Sequence, residues 1–156
     1  MSVSNAQWAQ IKQDLSHTFG TVFLKCDDYL IYARVEQIKM KLVVFVYVDG
    51  VFKGINAWYG QESQLAEMGA IARRFYCLGS RGPSAKTVKL TLKVLGKKAC
   101  KEKGCLERSY HSWPQFRTPG AFISHIKKHN PSIELLDHDR YDALRDLQRT
   151  QAVPHG

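Results

Sequence analysis

Two cysteines and two histidines give this chain its most chemically suggestive spacing. Cys100 and Cys105 form C-x4-C, nineteen residues intervene, and His125 and His129 form H-x3-H, one helical turn apart. Zinc takes four thiolate or imidazole ligands in a tetrahedron, and closely spaced pairs are how one chain supplies them. Cys100, Cys105, His125 and His129 are therefore a candidate zinc set, although the central spacer exceeds that of an ordinary finger and His111 competes as a ligand. The opposing reading makes the cysteines semi-buried helix residues and the histidines part of a basic helix. Cys26 and Cys77 have no ligand partner nearby in sequence and read as core residues.

Covalent catalysis finds no comparable pattern. The serines and cysteines lack a glycine-framed nucleophile elbow, and Gly96-Lys97-Lys98-Ala99 lacks both the first glycine and the hydroxyl of a phosphate loop. Asp27-Asp28 reads as a turn and Asp137 as a helix cap. The chain is read as non-enzymatic.

Charge carries more information. Residues 73–128 hold fourteen Lys/Arg against two Asp/Glu, whereas residues 1–72 and 129–156 are slightly acidic. The whole excess of the +9 chain therefore sits in one segment. With Ser84 to Gly104 helical, Lys86, Lys89, Lys93 and Lys97 share one face opposite Val88, Leu92, Leu95 and Ala99. Such a row repels itself, and a polyanion relieves the repulsion while releasing its own counterions. The candidate contacts to nucleic acid or another acidic partner are Lys89, Lys93, Lys97, Lys98, Lys101, Lys127 and Lys128, with Tyr110 or Trp113 as a stacking surface. Phe116 and Phe122 are interleaved with them, and these aromatics either stack on bases or pack beneath the basic face.

The elements that must position these residues follow from periodicity. A helix is expected over residues 5–18, capped by Ser4 or Asn5, with Trp8, Ile11 and Leu15 at helical spacing. Residues 21–26, 30–36 and 40–48 read as strands, the last apolar on both faces and so doubly covered. Asp49-Gly50 then predicts a hairpin to a fourth strand, Val51–Trp58, an edge able to pair across a two-fold in a homodimer. A helix over 61–76 completes an α-β-β-β-β-α unit spanning residues 1–78. Residues 79–83 read as a linker, and residues 84–150 as a basic helical annex packed on the first unit. Within that annex Ser84–Gly104 reads as helix in preference to a strand of alternating Val88, Leu90, Leu92 and Val94. Thr118-Pro119 opens a second helix, residues 132–136 are a short strand, residues 137–149 a last helix, and 151–156 a flexible tail. The expected fold is α+β: a four-stranded antiparallel meander flanked by helices.

Composition bounds the rest. Hydrophobic residues make up 44% and charged ones 24%, which excludes collagen-like and wholly disordered chains. The longest apolar run, Leu42–Val48, is seven residues, against about 20 for a membrane helix. Four cysteines and no basic-then-apolar leader suit a reducing cytoplasm.

Several stretches resemble a family of small phage and prophage accessory proteins. They are Leu24-Lys25-Cys26-Asp27-Asp28-Tyr29, the run Val46 to Gly54, Ala72-Arg73-Arg74-Phe75-Tyr76, and Ser132-Ile133-Glu134-Leu135 after a basic helix. Where the resemblance calls for glycine after Asp27, this chain has Asp28. Together they cover about half the chain. The resemblance implies an anti-defence protein of the anti-CRISPR or anti-restriction kind. The expected function is binding, without turnover, to nucleic acid or a nucleic-acid-handling complex. The alternative is a protein-directed inhibitor of a host effector that ignores free nucleic acid, and the third reading is a zinc-containing DNA-binding module. No cofactor other than that candidate zinc is expected.

Overall fold

The computed structural model describes residues 2–49 and 57–152. Helix α1 (Asn5–Asp14) opens on a capping box: Gln7 N–H donates to Ser4 Oγ at 3.2 Å, and Ser4 N–H donates to Gln7 Oε1 at 2.8 Å. The helix stops short of the expected residue 18 because Leu15 already leaves helical geometry and Phe19 takes a positive φ of 64°.

Three strands follow as an antiparallel meander: β1 (Thr21–Cys26), β2 (Tyr29–Ile38) and β3 (Lys41–Val48). Asp27 makes the first turn at φ 52°, a conformation its short side chain tolerates. Most of the expected fourth strand, Val51–Trp58, and its Asp-Gly turn lie outside the described residues. Trp58 itself begins β4 (Trp58–Gln61), which belongs to a different sheet. The place beside β3 is taken by β7 (Gln115–Phe116), and β8 (Ile133–Leu136) flanks β1, giving a five-stranded order β7-β3-β2-β1-β8.

The α+β class is as expected, and its second half is not purely helical. The expected helix over 61–76 is a 3-10 turn (Glu62–Glu67) followed, after extended Met68, by the short α2 (Ala70–Phe75). The expected linker 79–83 is largely strand β5 (Cys77–Arg81), which pairs with β6 (Ser109–Trp113) inside the expected annex. With β4 these form a second, three-stranded sheet of order β4-β6-β5. Between β5 and β6 lie α3 (Ala85–Leu95) and α4 (Lys97–Lys103); after them come α5 (Pro119–His129) and α6 (His138–Ala152). Thr118 caps α5 as expected, and Asp137 caps α6 by accepting the Arg140 N–H at 2.8 Å. Residues 153–156 of the expected tail lie outside the described residues.

One face of the large sheet builds the core. Val22, Leu24, Ile31, Ala33, Val44 and Val46 pack against Trp8 and Ile11 of α1, Phe75 of α2, and Phe122 and Ile126 of α5. Each large apolar side chain buried there contributes about 1.5–3 kcal/mol. On the other face α6 covers β1 and β2, where Tyr141 lies 4.7 Å from the Phe23 ring beside Leu30 and Leu136. Strand β3 therefore alternates instead of being buried on both faces: Val44, Val46 and Val48 are buried, whereas Val43, Phe45 and Tyr47 are half-buried. Cys26 is fully buried, and that burial pushes its thiol up to about 12, against a smaller lowering by Arg74.

A polar tie joins α2, α5 and the β1–β2 turn. Arg74 Nε donates to Asn130 Oδ1 at 2.9 Å, and Asn130 Nδ2 donates back to the Arg74 carbonyl at 3.2 Å and to that of Ile126 at 3.0 Å. The same guanidinium pairs with Asp27.

Candidate nucleic-acid interface

The basic segment folds as an arm. Ser84 Oγ accepts the Thr87 N–H at 3.2 Å and starts α3. Gly96, at φ 77°, breaks the expected single helix, and Gly104, at φ 64°, ends α4; both values favour glycine because a Cβ would crowd the backbone. Cys100 Sγ donates to the Thr91 carbonyl at 3.6 Å, tying the two helices together. Val88 and Leu92 are half-buried, while Leu90 and Val94 remain 63% and 73% exposed.

Lys86, Lys89, Lys93, Lys97, Lys98, Lys101 and Lys103 are all exposed. Among the described residues none of them enters an ion pair. The acids of the C-terminal stretch are engaged nearer home. Glu134 pairs with Arg140 at 2.6 Å, and Asp142 with Arg145 at 3.1 Å. Glu62 of the 3-10 turn, with Glu102 and Glu107 of the arm, shares an open cavity with Lys97, Lys101 and Lys103. Positive charges packed within a Debye length of about 8 Å reinforce one another's field.

The arm is rooted in the small sheet. Arg81 pairs with Ser109, whose hydroxyl donates to the Arg81 carbonyl at 3.2 Å, and Arg108 Nη2 donates to Ser80 Oγ at 3.2 Å. Strand alternation then sorts β6. Ser112 turns inward and donates to the Ala72 carbonyl at 2.9 Å, fixing the sheet to α2. Tyr110 shares that side and is half-buried. His111 and Trp113 point the other way. Tyr59 of β4 stands opposite His111 in register, the two rings stacked with centroids 6.1 Å apart and planes inclined by 26°. Tyr59 is 71% exposed and Trp113 45%. On the other side His111 lies over Gly79, where a Cβ would fall 2.4 Å from its Nε2. A cavity of about 570 Å³ continues this face, lined by Gly79, Arg81, His111, Trp113 and Arg117.

The expected site is thus regrouped. Lys89, Lys93, Lys97, Lys98 and Lys101 lie together on the arm, and Trp113 lies on the sheet at its root. Tyr110 is on the opposite side of that sheet. Phe116 and Phe122 are buried in the core and present no stacking surface. On α5, the Lys127 ammonium sits 4.9 Å from the centroid of the Trp8 ring, and Lys128 lines a different cavity. Tyr59 and Gly79 are not among the expected residues, and His111 enters the expectation only as a competing zinc ligand. The alternation His111-Ser112-Trp113 is the local signal for them, but it acquires a direction only through pairing with strands far away in sequence.

The candidate zinc set is not assembled. Cys100 is buried in α4 and Cys105 is exposed just after it. The His125 and His129 rings lie tilted against each other with centroids 4.3 Å apart, His125 also against Phe116, beside an apolar cavity of about 600 Å³ walled by Leu65, Met68, Ala72 and Phe116. Among the described residues no group of three or more His, Cys, Asp or Glu is placed to hold a metal. Burial, with the neighbouring His129, holds His125 down at about 4, and burial likewise lowers His129. His125 is therefore neutral at pH 7.

No protein-family model, curated protein or solved structure matches this chain. Among the described residues no helix is long and apolar enough to cross a membrane.

Proposed function

We propose that this chain binds nucleic acid without turning it over, using the α3–α4 arm to contact phosphates. The observation that carries this reading is the set of seven arm lysines, all exposed and none ion-paired among the described residues. A folded protein tolerates such self-repulsion where a polyanion neutralises it, and the free energy of counterion release makes that binding steeply salt-dependent. The test is fluorescence anisotropy with labelled DNA and RNA across a salt series. The reading predicts an affinity that falls linearly on a log–log plot, and an affinity indifferent to salt would sink it.

A second reading draws on Leu90 and Val94, which border the lysines with most of their surface exposed. An apolar strip framed by cations suits an apolar, acid-rimmed groove on a nucleic-acid-handling protein. In that case the chain acts as a protein-directed inhibitor, in keeping with the resemblance to phage accessory proteins. A pull-down from bacterial lysate with and without nuclease separates the two. Retention of a partner after nuclease treatment, together with no binding to purified oligonucleotides, favours the inhibitor.

A further inference from the structure

We infer that the nucleic acid taken by this protein is single-stranded, its bases stacking on the exposed face of the three-stranded sheet formed by Tyr59, His111 and Trp113. This rests on the proposed arm-to-phosphate reading and deepens it. Three features of the sheet face support it.

The first is ring presentation. Tyr59 and His111 are near-parallel neighbours across β4 and β6, and Tyr59 is 71% exposed. Burial of an aromatic ring is normally favourable, so a flat ring held largely in water on a strand is available for stacking. Gly79 is what lets His111 lie down: any side chain there would strike the imidazole.

The second is spacing. His111 and Trp113 are two residues apart on one strand, so their side chains emerge about 6.8 Å apart, and bases laid on the two rings sit side by side, parted beyond the ~3.4 Å contact of stacked neighbours. A duplex cannot satisfy that arrangement, because both faces of every internal base are already covered by its neighbours. A single strand can part its bases and offer each face to a ring.

The third is charge. Arg81 and Arg117 line the same cavity as Gly79, His111 and Trp113. Its volume of about 570 Å³ falls in the roughly 300–1,000 Å³ range of small-ligand sites. Arg81 also ends β5, with three residues between it and the helix carrying the lysines. The lysine helices thus join the sheet at the end where Arg81 stands, which puts phosphate-binding charge next to the base-stacking face. That adjacency is what a flat apolar protein partner would not require.

The experiment titrates the full chain with a labelled oligodeoxythymidylate of about 20 nucleotides and with a mixed-sequence duplex of the same length, at one fixed salt. The single strand is expected to bind at least about tenfold more tightly than the duplex. Tyr59→Ala, at a solvent-exposed ring, is expected to cost about tenfold on the single strand and nothing on the duplex, with Tyr59→Phe restoring the loss. Trp113→Ala is expected to act in the same direction, and tryptophan fluorescence of the unaltered protein to change on binding, which keeps the assignment testable should that variant fold poorly. Equal affinity for both forms, or a neutral Tyr59→Ala, overturns the single-strand assignment and leaves the lysine arm standing. Binding to neither form overturns both.

Discussion

Arg81 and Ser109 face each other as the last paired residues of β5 and β6, and the Ser109 hydroxyl closes the pair by donating to the Arg81 carbonyl at 3.2 Å. The chain leaves the sheet at one and returns at the other, so residues 82–108 form an insertion within a β-hairpin. Replacing them with an Asn-Gly turn, which suits a two-residue connection, is expected to shift the thermal midpoint by no more than about 3 °C. Differential scanning calorimetry measures this, and a cooperative loss of the whole fold would show instead that the arm belongs to the core.

The arm's lysines are expected to act through charge alone. Reversing Lys89, Lys93 and Lys97 to glutamate removes three phosphate contacts, so the slope of log affinity against log salt should shrink by about 2 for a single strand. The variant's unfolding midpoint should be unchanged or higher, because the reversal relieves repulsion. An affinity loss that is the same at every salt concentration would point to a contact other than ionic.

Asn130 is 4% exposed and satisfies two carbonyls and one guanidinium nitrogen at once. Truncation in Asn130→Ala removes the side-chain partner of the Arg74 carbonyl and Nε, while the Ile126 carbonyl keeps the backbone N–H of residue 130 at 3.1 Å; the cost is about 2 kcal/mol. Urea unfolding monitored by tryptophan fluorescence reads this as a lower midpoint with an unchanged slope.

Acid should weaken the protein through His125. Its folded value of about 4 lies below the ordinary 6.5, so between those limits the unfolded chain binds the extra proton. Stability is then fully present above pH 6.5 and declines as pH falls towards 4. Full conversion of such a shift corresponds to about 3 kcal/mol, and screening of the partly exposed ring reduces it to about 1–2 kcal/mol. His125→Leu removes the titrating group and should flatten the stability profile over that window. An unaltered pH dependence in the variant would assign the effect to other groups.

Thiol reactivity should follow burial. Cys105 is exposed and is expected to react with an aromatic disulfide reagent within seconds to minutes at pH 8. Cys26, buried and raised to about 12, should react only on unfolding. Mass spectrometry of partially labelled protein distinguishes them, and early modification of Cys26 would contradict the core described above.

Much of the large sheet was legible because its information is local. The strands β1, β2 and β3 announce themselves by runs of β-branched and aromatic residues, α5 by Thr118-Pro119, and α6 by Asp137. The arm's helical nature was legible from length and from Ser84, though the break at Gly96 was not. The strands at residues 77–81 and 109–113 are hidden in the sequence for the opposite reason. Cys77-Leu78-Gly79-Ser80-Arg81 is rich in turn formers, and its strand conformation is set by backbone hydrogen bonds to residues about thirty positions away. The 3-10 turn at Glu62–Glu67 likewise replaces an expected helix where Arg73 reaches back to the carbonyls of Leu65, Ala66 and Met68.

Taken by itself, the amino-acid order determined the α+β class, the alternation that builds the core face, and the concentration of positive charge in one segment. These depend on periodicity and composition, which are properties of neighbours along the chain. Only tertiary structure decided that the lysines stand on an arm apart from the acids of α6, that Phe116 and Phe122 are core, and that Tyr59, His111 and Gly79 meet at its root. Those relationships come from pairing between distant strands, and in a sheet the side on which each ring emerges is settled by register with a partner that local sequence does not name.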